Sequence, residues 1–483
     1  MTFKYSTLSV TSYIVVLGGV VLAALMGWGA GISFAIPLVM AIALLGLLML
    51  GIKFEYTVLG LLCFRSAIDI FSEQQLPAIF AVGLDLLAMS YIALLLATRQ
   101  KIHTNRFFWF FASWVLFQGL WVGLLPMGGL GMGTGHTMTA LREWIRLFSW
   151  LMVYLLVMQL QDKVHPKTVV KGLLFSLILP LFAALLQICL PASALPTFLA
   201  PRGMAFTALE NASRVNGTLG HPNTLVTFLV LFLGVLYWQM TQAKRSWPWL
   251  IPMGIVVFFI VATKALVGLV MTGILIIAVI IPRITVSKFI GATILMAMIV
   301  ALFGSTEFGR ERLLLFATLP FFNDDLDLSR AILLRGLTSN SFYWRLEQWT
   351  LLLDAWQQEY WLGYGLGASK FLTHFRSEPH NDYVRALVEG GVVGIISYLT
   401  FLGGIAIHLI QTCRSHLSTR VQVDLALMLL ATLIAMMVGM LTENIWSHTV
   451  LFFYWFTLIA LCSWDWRKPE RLEHQPQGEN SYV

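Results

Sequence analysis

Apolar runs of about 20 residues recur along the whole chain, and that is the length a helix needs to cross the hydrocarbon core of a bilayer. They fall at 11–30, 34–52, 56–70, 77–97, 107–125, 141–160, 168–190, 223–241, 247–262, 264–282, 286–303, 383–411, 421–441 and 448–464. The third is short and Lys264 alone divides the ninth from the tenth, so the pattern predicts roughly 12 to 14 helices. With 58% of residues hydrophobic and 11% charged, the fold class is all-α: a polytopic transmembrane helical bundle. The first run is followed directly by the second, which reads as a retained helix and not a cleaved signal peptide.

Lysine and arginine set the orientation, because cytoplasmic loops carry the excess of both. With the N-terminus inside, the inner loops "TRQKIHTNR", "QDKVHPKTVVK", "TQAKRSW", "PRITVSK" and "CRSHLSTR" and the tail "WRKPERLEH" are all basic. The alternate loops "LPMGGLGMGTGHT" and "TENIWSH" hold neither residue. Both termini are therefore expected in the cytoplasm. The net charge of +7 is explained by this bias and calls for no nucleic-acid partner. Cys63, Cys189, Cys413 and Cys462 lie in or beside apolar runs without C-x-x-C spacing, so neither a zinc site nor a disulfide framework is expected.

Two outer segments exceed the length of a turn, 191–222 and 304–378, and long loops of this kind usually carry function. In the second, "RERLLLFATL", "SRAILLRGL" and "FYWRLEQWTLLLDAWQQEYW" place apolar residues at helical spacing, which predicts amphipathic helices over the outer mouth. The chain then divides into N-terminal helices over 1–303 including the loop 191–222, an external region over 304–382, C-terminal helices over 383–464 and a tail over 465–483.

This topology gathers cations at the external face: Arg65, Arg142, Arg146 and Lys264 at helix ends, and Arg214, Arg345 and His380 from the long loops. Intramembrane charge is costly and marks candidate function. Blander roles stay open for several of them. Arg65 can pair with Asp85, Arg142, Arg146 and Lys264 can snorkel to the interface, and Arg385 with Glu389 four residues on suits an internal ion pair. Gly390 and Gly394 have the GxxxG spacing of close helix packing.

His380 stands apart, because in "PHNDYVRALVEGGVVG" it precedes Asn381, a good helix N-cap. The positive end of a helix dipole disfavours the imidazolium, so a base is available there beside cations that can hold an anionic leaving group. "GHPN" repeats the arrangement, with His221 preceding Asn223 as the expected cap and Arg214 upstream.

Together, "RVNGTLGHPN", "YWRLEQWTLLLDAWQQEYWLGYGLGASKF" and "PHNDYVRALVEGGVVG" resemble the O-antigen ligase and Wzy-type O-antigen polymerase superfamily of bacterial membrane glycosyltransferases, over about Arg142 to Leu402. The resemblance implies a GT-C-like fold in the cytoplasmic (inner) membrane with its active site on the periplasmic face. It implies inverting transfer of a glycan from undecaprenyl diphosphate to an acceptor hydroxyl, without metal, nucleotide sugar or other cofactor. Carried over residue by residue, Arg214 and Arg345 hold the diphosphate and His380 is the catalytic base, with Lys264, Arg142, Arg146, Arg65, His221 and Asn381 as further candidates for binding. One departure is "ATKALVG", where Thr263 and Lys264 stand in place of the serine and arginine of relatives.

The acceptor names the enzyme within this superfamily: a second lipid-linked glycan for a polymerase, lipid A core for a ligase, a serine or threonine for a protein O-glycosyltransferase. "HNDYVR" favours the O-antigen or exopolysaccharide polymerase, for which chain-length regulator proteins are implied partners. A second class is a transporter of an anion or a lipid-linked sugar, which would show repeated halves with broken helices about a midplane site; no such repeat is evident. A third, a scaffold for polysaccharide assembly, would have no use for His380.

Overall fold

The computed structural model describes residues 53–124, 134–200, 214–281, 286–305 and 341–467, with isolated positions at 127, 132, 309 and 310. The two expected helices at 11–30 and 34–52, the amphipathic segments before 341 and the tail beyond 467 lie outside these residues. Among the described residues the chain is helical throughout, without a strand. In order, the helices are α1 (53–64), α2 (Leu76–Ala97), α3 (Arg106–Leu124), α4 (Thr137–Met158), α5 (Pro166–Phe175), α6 (Ile178–Cys189) and α7 (Pro222–Gln242). They continue with α8 (Leu250–Ala262), α9 (Leu266–Ile280), α10 (Val286–Gly304), α11 (Ser341–Trp356), α12 (Asp382–Arg414), α13 (Arg420–Gly439) and α14 (Thr449–Cys462). Among the described residues six spans are long and apolar enough to cross a membrane, α5 and α6 counting as one. The described chain is a polytopic membrane helical bundle.

The centre is α14, buried along its length from Val450 to Cys462, with α7 and the second half of α4 around it. A helix apolar on all sides has no face for water, so its place is the middle of a bundle. Helices α2 and α3 pack on α4, α9 and α12 pack on α13, and α11 lies on α12.

Three breaks depart from the expected spans. The run 56–70 ends as a helix at 64 and continues in two 3-10 segments, Arg65–Ala67 and Asp69–Gln74. The run 168–190 is interrupted before Ile178. Pro180 has no N–H to return to the carbonyl of Ser176, and the Ser66 hydroxyl donates to that oxygen instead, at 2.7 Å.

The third break is inside α12, at Gly391 (φ 63°, ψ −162°). Here the loop 360–365 docks against the opened helix. Tyr364 and Gly365 N–H donate to the carbonyls of Val388 and Glu389 (3.0 and 2.8 Å), and Val392 and Val393 N–H donate to those of Tyr360 and Trp361 (3.0 and 3.2 Å). A Cβ at Gly391 would collide with the Trp361 carbonyl, and one at Gly363 (φ 65°) would meet the Val388 carbonyl oxygen at 2.5 Å. The glycine motif thus serves a backbone-to-backbone docking at Gly391. A Cβ at Gly390 would meet the Trp121 ring at an ordinary 3.7 Å, and one at Gly394 would meet the Ala386 carbonyl of its own helix at 3.0 Å.

Candidate functional site

One end of the bundle brings together the start of α7, the turn between α8 and α9, helix α11, the start of α12 and the loop between α13 and α14. At its centre is Glu443, with 4% of its side chain exposed. Its Oε1 faces His380 Nδ1 at 3.1 Å and accepts the Asn444 N–H at 3.2 Å. Its Oε2 accepts from the Asn223 amide and lies 3.9 Å from an Arg345 nitrogen. Arg345 also donates to the Thr442 carbonyl at 3.1 Å. Arg214 donates to Asn223 Oδ1 at 2.9 Å and to the Thr263 carbonyl at 3.1 Å, which sets it beside Lys264.

Local structure fixes each of these side chains. Asn381 caps α12, its Oδ1 accepting from the N–H groups of Tyr383 and Val384 at 3.0 and 3.1 Å. Asn381 is thus the N-cap the sequence predicted, with its Oδ1 committed to the helix start beside His380. His380 is held at φ 51° and Lys264 at φ 52°, in the left-handed region that costs a residue with a side chain about 1–3 kcal/mol and persists where surrounding structure imposes it. The Trp344 ring stands edge-on to His380 at 5.3 Å, and Trp349 donates to the Pro379 carbonyl at 2.5 Å, so α11 braces the turn before α12.

At α7 the expected cap is displaced by two residues. His221 is the N-cap, its Nδ1 accepting the Asn223 N–H at 3.2 Å, with Pro222 at the first helical position. Asn223, freed from capping, bridges Arg214 to Glu443. His221 lies within electrostatic reach of Glu443, Arg214, His380 and Arg345.

A buried carboxylate is ordinarily pushed towards its neutral form. Burial acts on Glu443 in that direction, yet the His380 contact and the Arg345 guanidinium outweigh it and hold the carboxyl well below the usual range. An ionised carboxylate can only accept, so His380 presents its Nδ1–H to Glu443 and its Nε2 is the ring nitrogen not engaged by that carboxylate. This is the arrangement in which a carboxylate orients an imidazole base and stabilises the imidazolium that follows proton uptake.

Of the remaining expected cations, Arg65 and Arg146 are paired with carboxylates. Arg65, 3% exposed, pairs with Asp69 and lies against the rings of Phe80 and Phe453 at 5.7 and 5.9 Å. Asp85, its expected partner, instead accepts from the Ser149 hydroxyl at 2.8 Å. Arg142 is exposed. Arg146 pairs with Glu143 at 2.9 Å, and Glu143 also takes Arg385 at 2.8 Å. Arg385 forms the expected pair with Glu389 at 3.2 Å and reaches Glu378 at 3.7 Å. Burial would raise the Glu378 carboxyl, but Arg385 and Arg146 bring it down to about 2. Among the described residues no cluster of three or more His, Cys, Asp or Glu has the geometry to hold a metal ion.

Glu443 is the residue that sequence reasoning missed. The loop "TENIWSH" was informative only for what it lacks, lysine and arginine. Its one signal is a glutamate and a histidine, His448, in a short connection between two apolar helices.

Residues 248–399 match the family model described as O-antigen ligase. The match runs from α8 through the Gly391 break of α12 and so includes Lys264, Arg345 and His380. The resemblance to the O-antigen ligase and Wzy-type superfamily is borne out over that region. No curated protein matches the chain.

Proposed function

We propose that this membrane protein is a glycosyltransferase of the O-antigen ligase and polymerase type, moving a glycan from undecaprenyl diphosphate to an acceptor hydroxyl at the outer face of the cytoplasmic membrane. The observation that carries the reading is the His380–Glu443 pair with Arg345 and Arg214 around it. The acceptor O–H loses its proton to His380 Nε2 as its oxygen bonds to the anomeric carbon. The bond from that carbon to the phosphate oxygen breaks in the same step, its electron pair leaving with the diphosphate. Inversion at carbon follows from a single displacement. Arg345 and Arg214, with Lys264 and His221 nearby, stabilise the charge that grows on the leaving group, a contribution that commonly dominates such catalysis. Guanidinium groups suit this task because their planar fork matches phosphate oxygens.

The acceptor we propose is a second lipid-linked glycan, which makes the protein an O-antigen or exopolysaccharide polymerase. The description of the matched family favours lipid A core instead. Purified protein given undecaprenyl diphosphate oligosaccharide alone lengthens the glycan under the first reading. Under the second it forms product only when lipid A core is added. Movement of the donor across vesicles with no glycosidic bond formed under either condition would overturn both. Reporter fusions that place residue 376 in the cytoplasm would also defeat the proposal, since the donor glycan is presented outside.

A further inference from the structure

The docking of loop 360–365 on α12 also fixes a level in the membrane. Helix α3 has 19 residues, about 28 Å of helix, close to the roughly 30 Å of a hydrocarbon core. Its last residue, Leu124, therefore marks one edge of that core, and Trp121 lies one turn inside it. Trp121 donates its indole N–H to the Leu362 carbonyl at 2.8 Å, and its ring is 3.7 Å from a Cβ position on Gly390. Loop 360–362 and the Gly391 break are thus at the same edge.

Helix α12 gives the same level independently. It has 33 residues, well beyond the roughly 20 that a span requires. Asp382, Arg385 and Glu389 all fall in its first eight residues, and the stretch from Gly390 to Ile407 carries no charge. The polar turns thus stand beyond the hydrocarbon and the span begins at the break. At that height Tyr360, Trp361 and Leu362 are 46%, 67% and 37% exposed, directly after the polar run Gln357, Gln358 and Glu359.

We propose that Tyr360–Leu362 is a membrane anchor, seated among the headgroups and upper acyl chains of the leaflet on the His380 side, and that it sets the height of the site above the bilayer. Tyrosine and tryptophan favour that layer because each has an apolar body and a polar tip. Irregular backbone is tolerated at such a depth where it is bonded to protein, and here the carbonyls of Tyr360 and Trp361 accept from Val392 and Val393 of α12 and that of Leu362 accepts from Trp121. Gly391 transmits the anchoring, since the helix turns that lead to His380 rise from the break. The distance from Gly391 to His380 along the helix is about 16 Å at 1.5 Å per residue.

The test places a benzophenone amino acid at position 361 of the full chain in phospholipid nanodiscs, with Ile396, an exposed residue of α12 inside the span, as the lipid-facing control and Arg376 as the aqueous control. Irradiation is expected to give phospholipid adducts at 361 and 396 and none at 376. A probe at 361 that labels no lipid while 396 does, or that labels only a second copy of the chain, overturns the anchor. The result does not depend on the transferase reading, because no donor is present.

Discussion

Replacing Glu443 by glutamine probes the feature least visible in the sequence. The substitution keeps volume and one carbonyl oxygen, so the bond from Asn223 can survive, but it puts an N–H where Oε1 now faces His380. Imidazole must then accept at Nδ1 and carry its proton on Nε2, the atom required as base. At 3.1 Å, and with an effective dielectric of about 20, a carboxylate and an imidazolium attract by about 5 kcal/mol. That is a ceiling, because His380 is 21% exposed and solvent screens part of it. General base catalysis contributes about 10²- to 10⁴-fold, so Glu443→Gln should slow turnover by about 10²-fold or more, with KM nearly unchanged. The assay is single-turnover transfer by purified protein in detergent. Because Glu443 acts through His380, the double variant with His380→Ala should be no slower than His380→Ala alone. A Glu443→Gln protein that is folded and within threefold of wild-type turnover refutes the orienting role.

Arg214→Ala and Arg345→Ala should each abolish polymer in cells at normal protein level, with lysine variants retaining a little because charge survives without the fork; wild-type polymer length in both alanine variants would remove these residues from the site. Gly391→Ala should lower the melting temperature in detergent by more than replacement of a helical glycine with open space beside it, such as Gly403→Ala, since it must adopt φ 63° against the Trp361 carbonyl; equal melting temperatures would contradict the docking. Acid should destabilise the fold in two steps. Burial pushes His448 down to about 4, so its contribution is full above the ordinary histidine value near 6.5 and is lost as pH falls from there towards 4, a loss of up to about 3 kcal/mol. Glu378 is depressed to about 2, so its contribution is complete above about 4.5 and is lost below that. A melting temperature independent of pH between 6.5 and 4 would argue against a buried neutral His448.

Local chemistry made much of this legible. Apolar run lengths predicted a polytopic helical bundle, the asparagine after His380 predicted the start of α12, and the spacing of Arg385 and Glu389 predicted their pair. What the sequence hid depends on partners far along the chain. Glu443 is 63 residues from His380 and 220 from Asn223, and nothing in a short loop announces either neighbour. Arg65 had two carboxylates to choose from, and the nearer one, four residues on in a 3-10 turn, prevailed over the one on α2. His221 took the capping role from Asn223 because Pro222, pre-set for the first helical turn, fixes the start of α7 at itself.

The central claim is that His380 is a base that acts on a donor held by neighbouring arginines. Its most direct test is binding and turnover of undecaprenyl diphosphate oligosaccharide by purified His380→Ala protein beside wild type. The expected result is donor affinity within a few-fold of wild type and transfer slower by about 10²- to 10⁴-fold. Transfer at the wild-type rate by the His380→Ala protein would contradict it.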